Sequence, residues 1–369
     1  MVVAFRVLAV IAGVALLIAT LGSAIKTVIL PRGVVSAITR LVFVSLRRVF
    51  LILARPSMSF ERRDRILAMY APMGLIALLG TWLGLTLLAY MLIFWGLDLV
   101  TWREAFEISG SSLFTLGSAQ PEHLGSIALV FTEAAIGLFL LALMITFLPS
   151  IYSAFSRREL GVTALAVRAG EPAWGVTMIE RFWRLERVEM LHDVWEEWER
   201  WFVDLEESHT SLPALSFFRS PQPDHSWVTS AGAVLDAAAL AVSVVDIDHD
   251  VQADICLRAG YLSLRRIADY FGVQYDPDPD PADPISIRRE EWDAAVGQLR
   301  EAGVPLKADL DAAWAGFAGW RVNYDIVLLA LCNLTSAPAA PWSSDRSGER
   351  TMRVRVFGNA RTAGGLSRR

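Results

Sequence analysis

Lysine is almost missing from this chain: among 34 basic residues in 369, only Lys26 and Lys307 are lysines. Arginine carries the rest, in keeping with the codon usage of a GC-rich genome. Cysteine is as scarce, and Cys256 and Cys332 both fall in a stretch read as intracellular, where thiols stay reduced and a structural disulfide is not expected. A formal net charge of −5 gives a nucleic acid no electrostatic footprint. Also missing are a Walker loop, a GxGxxG opening a helix, a GxSxG elbow and a paired-carboxylate motif, so catalysis has no support and an enzyme is not expected. Acids and histidines do gather: His192 with Asp193, Glu206 with His209, Asp224 with His225, then Asp246, Asp248, His249 and Asp250. None has the spacing of HExxH or of an EF-hand loop, whose central glycine is absent. Solvated loops and helix caps account for them better than a metal or ligand sensor, and no metal or cofactor is expected.

Apolar side chains are abundant. They make up 54% of the chain, too many for an ordinary soluble protein of this length. Residues 7–31 are long enough to span a bilayer; they also have the layout of a secretory signal, with Arg6 as basic flank and Gly22-Ser23-Ala24 as a small-residue site. Eight arginines between Arg32 and Arg65, against Glu61 and Asp64, mark the next segment as cytoplasmic and favour an uncleaved anchor with its N-terminus outside. Within that segment Arg40, Arg47, Arg48 and Arg55 share one helical face, opposite Val42, Val49 and Leu53. The stripe fits a helix lying in the membrane interface against lipid, or one packed beneath the spans. Residues 71–97 and 126–148 form two further spans, with Trp82, Tyr90 and Trp95 expected at headgroup level or at subunit contacts.

The stretch between these two spans carries the most specific signal. Thirteen residues, 102–114, are too few to cross a membrane as a helix, and small polar residues follow: Ser111, Ser112, Thr115, Gly117 and Ser118. The segment SLFTLGSAQP, followed by GSIALVFTEAAIGLFLLALMITFL, resembles the pore helix, filter and inner helix of tetrameric pore-loop cation channels, especially bacterial two-helix potassium-channel-like proteins. The resemblance covers roughly residues 70–155. It implies a selectivity filter at Thr115, Leu116 and Gly117, where that family has Thr-Val-Gly, and an inner-helix hinge near Gly137. Where a potassium filter continues Tyr-Gly-Asp, this chain has Ser118, Ala119 and Gln120, with Ser118 at the upper rim. TLGSAQP is more similar to the truncated filters of weakly selective cyclic-nucleotide-gated channels, which implies a pathway for a monovalent cation, potassium or sodium, without strong selectivity.

Glu133 lies deep in a span, where a carboxylate is expensive. It attracts cations into the cavity, or ties the inner helix to the hydroxyls of Ser111 and Ser112 behind the filter, or is a protonated or hydrogen-bonded structural carboxylate. Glu122 and His123 flank the outer mouth, as modulators or as solvated side chains. From about residue 157 the chain reads as a cytosolic helical domain, with helices over 172–208, 228–246, 253–271, 288–302 and 306–334. Trp195, Trp198 and Trp201 are spaced for one buried face. An acidic proline-rich linker (276–284) separates the last two helices from the rest, and a disordered basic tail is expected beyond residue 335.

The expectation is an all-α membrane protein with three transmembrane helices, a re-entrant pore loop and a cytosolic α-helical domain. It would sit in a bacterial plasma membrane with the C-terminal domain in the cytoplasm. Its segments are 1–31, 32–69, 70–155, 156–334 and 335–369. One loop per chain calls for a homo-oligomer, four copies by resemblance, gated or assembled by the cytosolic domain in response to an unknown regulatory ligand. The rival reading is a non-conducting membrane receptor or scaffold that retains a channel-like architecture.

Overall fold

Long apolar runs and the breaks between them set the architecture. The computed structural model describes residues 2–30, 36–55, 57–119, 121 and 123–346. These are helical: α1 (Val2–Val28), α2 (Ala37–Leu53), α3 (Phe60–Ala68), α4 (Tyr70–Gly96), α5 (Trp102–Leu113), α6 (Leu124–Ala169) and α7 (Gly175–Arg184), then α8 (Leu191–Ser211), α9 (Trp227–Ser243), α10 (Val251–Tyr270), α11 (Arg289–Glu301), α12 (Leu310–Arg321) and α13 (Asp325–Thr335). Among the described residues the sole β-type pairing is an isolated antiparallel bridge between Val245 and Leu306. Three stretches, Val3–Val28, Phe60–Gly96 and Leu124–Ala169, are long and apolar enough to cross a membrane.

The chain divides into two units, residues 1–53 with 69–152, and residues 54–68 with 153–369. In the first, α1 packs along α4, and at Gly13 a Cβ would stand 2.6 Å from the Ala89 carbonyl oxygen, so only glycine permits the approach. Trp82 is fully buried there and donates its indole N–H to Ser23 Oγ at 3.0 Å; Tyr90 is buried too. Both aromatics are core residues of the single chain; the Trp82 tip finds its partner inside, while Tyr90 OH donates to the exposed Thr132 Oγ1 at 2.9 Å. α2 rests on α4 through Phe43, which meets Tyr70 edge-on at 6.1 Å and fills the space left by Gly74. Arg40 and Arg47 are half-buried while Arg48 and Arg55 are exposed, so the four do not share one environment. Leu41, Val49, Ile52 and Leu53 are exposed.

The basic segment 32–69 is not one element. α3 belongs with the second unit, where the Arg219 guanidinium binds Asp64 and donates to the carbonyls of Thr335 (2.7 Å) and Ser336 (2.8 Å). The centre of this unit is α9, buried at sixteen of its seventeen residues. Its alanine-rich surface allows such close packing that a Cβ on Gly175 would stand 2.6 Å from Ala237 N. Trp195, Trp198 and Trp201 form the expected buried face of α8.

Two expected helices are broken. The span 172–208 divides at Glu186, whose φ of 55° cannot continue a right-handed helix, and 306–334 divides around Asn323, whose carbonyl accepts from Arg265 Nε at 2.8 Å. The linker does not hold the last helices apart: Arg265 Nη1 donates to the Pro277 carbonyl (2.8 Å), and Pro281 packs against Gly319. Nor does order stop at Thr335. Trp342 is buried, its carbonyl accepts from Arg321 Nη2 at 2.6 Å, and Arg346 pairs with Glu291 at 2.8 Å. Residues 347–369 of the expected tail lie outside the described residues.

Candidate functional site

α5 begins with a reciprocal cap written in its sequence, Thr101-x-x-Glu104. Thr101 Oγ1 accepts the Glu104 N–H at 3.3 Å and Glu104 Oε2 accepts the Thr101 N–H at 2.8 Å. Its twelve residues reach only about 18 Å. The helix packs against α4 and α6 through a row of serines that have no charge to solvate. The Ser109 hydroxyl lies within hydrogen-bond reach of the Leu87 carbonyl (3.2 Å) and of Glu133 Oε1, and Ser112 Oγ donates to the Val130 carbonyl at 2.6 Å. Tyr90 OH donates to Thr132 Oγ1 at 2.9 Å one turn away.

Glu133 is fully buried, and the hydroxyl that reaches it is Ser109, not Ser111 or Ser112. One helical turn separates Ser109 from Ser112, and the intervening turn points Ser111 the other way, into the following loop. There Ser111 Oγ accepts the backbone N–H of Ser118 (2.9 Å) and of Ala119 (3.2 Å). The same loop starts with the Leu116 N–H on the Ser111 carbonyl at 2.8 Å, and turns through positive φ at Thr115 (55°) and Gly117 (69°). Residues 114–118 are all exposed in the single chain. The four sequence-selected positions Thr115, Leu116, Gly117 and Ser118 thus form one tight turn tied to the helix before it.

Gly137 sits against the end of α5, where a Cβ would lie 2.7 Å from the Leu113 carbonyl oxygen. It is about 20 Å along α6 from Leu124 at 1.5 Å per residue. The turn after Leu113 is therefore level with this part of α6. His123 is exposed at the start of α6, its carbonyl accepting the Ile127 N–H at 3.0 Å, while Glu122 lies outside the described residues.

In the second unit His209 is buried, not solvated. Its Nδ1 is 2.9 Å from the Leu205 carbonyl and its Nε2 is 3.3 Å from Arg158 Nη1. A carbonyl only accepts and a guanidinium only donates, so the ring carries its proton on Nδ1. Burial, with the Arg158 charge beside it, holds this imidazole well below its ordinary range. No group of three or more His, Cys, Asp or Glu side chains among the described residues is placed to hold a metal ion.

Sequence reasoning singled out Glu133 but missed Ser109 as its partner and Ser111 as the loop's anchor. The available signal was the S-x-S-S spacing on a helix that must bury polar atoms. No family model, no curated protein and no solved structure matches the chain.

Proposed function

We propose that the protein is an ion channel, a weakly selective pathway for monovalent cations built from several copies around the turn at residues 114–118. The observation that carries this reading is the position of that turn. Its backbone is non-helical, exposed in the single chain, and level with Gly137, about 20 Å into a long apolar helix. Backbone of that kind is tolerated at membrane depth only when covered by protein or lining water. Copies of the chain arranged in a ring supply both conditions: neighbouring subunits cover the outside of the turn, and water and ions occupy the inside.

The chemistry of the turn supports the same reading. Carbonyl oxygens at the C-terminal end of α5 carry the partial negative charge of the helix, and Thr115 adds a hydroxyl, so a cation entering the ring exchanges hydration waters for these oxygens. Gly117 has no side chain to fill the axis. Ser111, Ser109 and Glu133 hold the turn from behind, leaving its oxygens free. With Ser118 and Ala119 in place of an aromatic-glycine pair, the ring of sites is short, which favours weak selectivity. The second unit, which contains α3 and the C-terminal part of α6, would assemble or gate such a pore.

The test is current through the purified protein in a planar bilayer with potassium on one side and sodium on the other. A current reversing near zero, abolished by the double substitution Thr115→Ala and Gly117→Val, is the expected outcome. Silence under voltage, tension and pH steps refutes the channel reading and leaves a scaffold.

A further inference from the structure

The first turn of α9 is buried with its donors open. Ser226, the residue before the helix, is extended and makes no side-chain cap. Trp227, Val228 and Thr229 are each at most 3% exposed, and their backbone N–H groups have no acceptor among the described residues. Every helix start leaves such donors, and a buried one without a partner costs about as much as a lost hydrogen bond.

A cavity of about 20 Å³ lies against this end, between the loop before α9 and the stretch that follows α13. That volume holds one water-sized particle. Two further donors line it unused: the hydroxyls of Ser216 and Ser220 have no hydrogen-bond partner among the described residues, although the two residues are only 1% and 8% exposed. The nearby acceptors, by contrast, are taken. Trp227 Nε1 donates to the Ser216 carbonyl (3.2 Å), Arg158 Nη2 to that of Phe218 (2.7 Å), Arg219 Nη1 to that of Thr335 (2.7 Å), and the Ser344 hydroxyl to that of Pro338. Among the described residues no carboxylate lines the cavity. Its two basic side chains are engaged elsewhere: Arg219 binds Asp64 and two carbonyls, and His225 Nε2 meets Glu171 Oε1 at 3.1 Å.

Open donors therefore gather where the neighbouring carbonyls are already occupied. A water molecule would answer them only in part, because its own two protons also need acceptors. A monatomic anion accepts from every side, and the partial positive charge at the start of α9 favours it. We propose that this cavity is a binding site for a single halide ion, chloride, held by the first-turn N–H groups of α9 and by the Ser216 and Ser220 hydroxyls, which turn onto it by rotation about χ1. A tetrahedral oxyanion is too large for the space. The site does not rest on the channel reading, because occupancy is read without current.

The experiment is thermal unfolding of the full-length protein in detergent while sodium chloride replaces sodium gluconate at constant ionic strength, with the chloride NMR line width on the same samples as the direct reading of binding. A midpoint that rises and then saturates with chloride is expected, together with a line broadening that bromide reverses. Ser216→Ala combined with Ser220→Ala should weaken chloride at least about tenfold, with circular dichroism checking the fold. Ser226→Asp offers a carboxylate to the same N–H groups, and its midpoint should match or exceed wild type in gluconate and no longer respond to chloride. The titration of the unsubstituted protein is decisive by itself: a midpoint indifferent to chloride without line broadening, the behaviour of a buried water alone, overturns the proposal. An equal chloride response in the double variant, an undiminished one in Ser226→Asp, or displacement of chloride by inorganic phosphate and not by bromide would overturn it too.

Discussion

Replacing Gly137 by alanine tests whether the end of α5 is rigidly set against α6. The new Cβ would lie 2.7 Å from the Leu113 carbonyl oxygen and 2.9 Å from Leu113 Cδ1. The leucine side chain can rotate away, but the carbonyl belongs to the last turn of α5 and must move bodily by a few tenths of an ångström. Two opposing effects set the size. Alanine gains about 1 kcal/mol of helix propensity over glycine, and overpacking a closed contact costs about 1–3 kcal/mol. The sum is a loss of up to about 2 kcal/mol, depending on how far the turn at 114–118 yields. Gly84→Ala is the matched reference, because a Cβ there meets nothing within 4 Å and only the propensity gain remains. Thermal unfolding of the purified protein in detergent, followed by far-ultraviolet circular dichroism, should place Gly137→Ala below wild type and Gly84→Ala at or above it. Equal midpoints for the two variants would refute the close approach of α5 to α6. In the proposed pore the same substitution should also shift the reversal potential, since it displaces the residues next to Thr115.

Further outcomes follow from the buried polar groups. Ser109→Ala removes the hydroxyl that Glu133 Oε1 reaches and should cost about 1–3 kcal/mol of stability, whereas Glu133→Gln keeps a hydrogen bond and should cost less; the two unfolding curves check the order. Arg321 joins Asp236 (2.6 Å) and Asp325 (2.9 Å), all fully or nearly fully buried, so Arg321→Met leaves two carboxylates unpaired and should cost about 3–5 kcal/mol in denaturant unfolding. His209 is held neutral in the folded chain, so below its unfolded value of about 6.5 the unfolded state binds the extra proton and stability falls as pH drops. His209→Gln should flatten that slope below pH 6.5 by up to about 1.4 kcal/mol per pH unit. The Arg346 guanidinium beside Glu291 lowers its carboxyl to about 2, a contribution present above the ordinary carboxylate value and lost as pH falls toward 2; in Arg346→Ala the Glu291 titration measured by NMR should move up toward 4.5.

The sequence by itself determined the helical class, three apolar stretches long enough to cross a membrane, and the short α5 between two of them. These are local properties: run length and the 3.6-residue period can be read without knowing what lies opposite. The Trp195, Trp198 and Trp201 face was legible for the same reason. Only the tertiary structure decided which polar groups meet. Ser109 and Glu133 are 24 residues apart, and Asp64 and Arg219 are 155 apart, yet each pair is in contact. Among several serines and many arginines, no spacing rule selects the partner. The breaks at Glu186 and Asn323 were hidden too, since neither carries a proline or glycine signal, and the one at Asn323 is held by Arg265 from 58 residues away. The basic segment was one block in sequence and two in space, because Arg219 and the carbonyls after α13 draw α3 to the second unit while Phe43 and Tyr70 keep α2 in the first. Burial is decided by the sum of such contacts, so Trp342 could be placed in the core only after the helices around it were known.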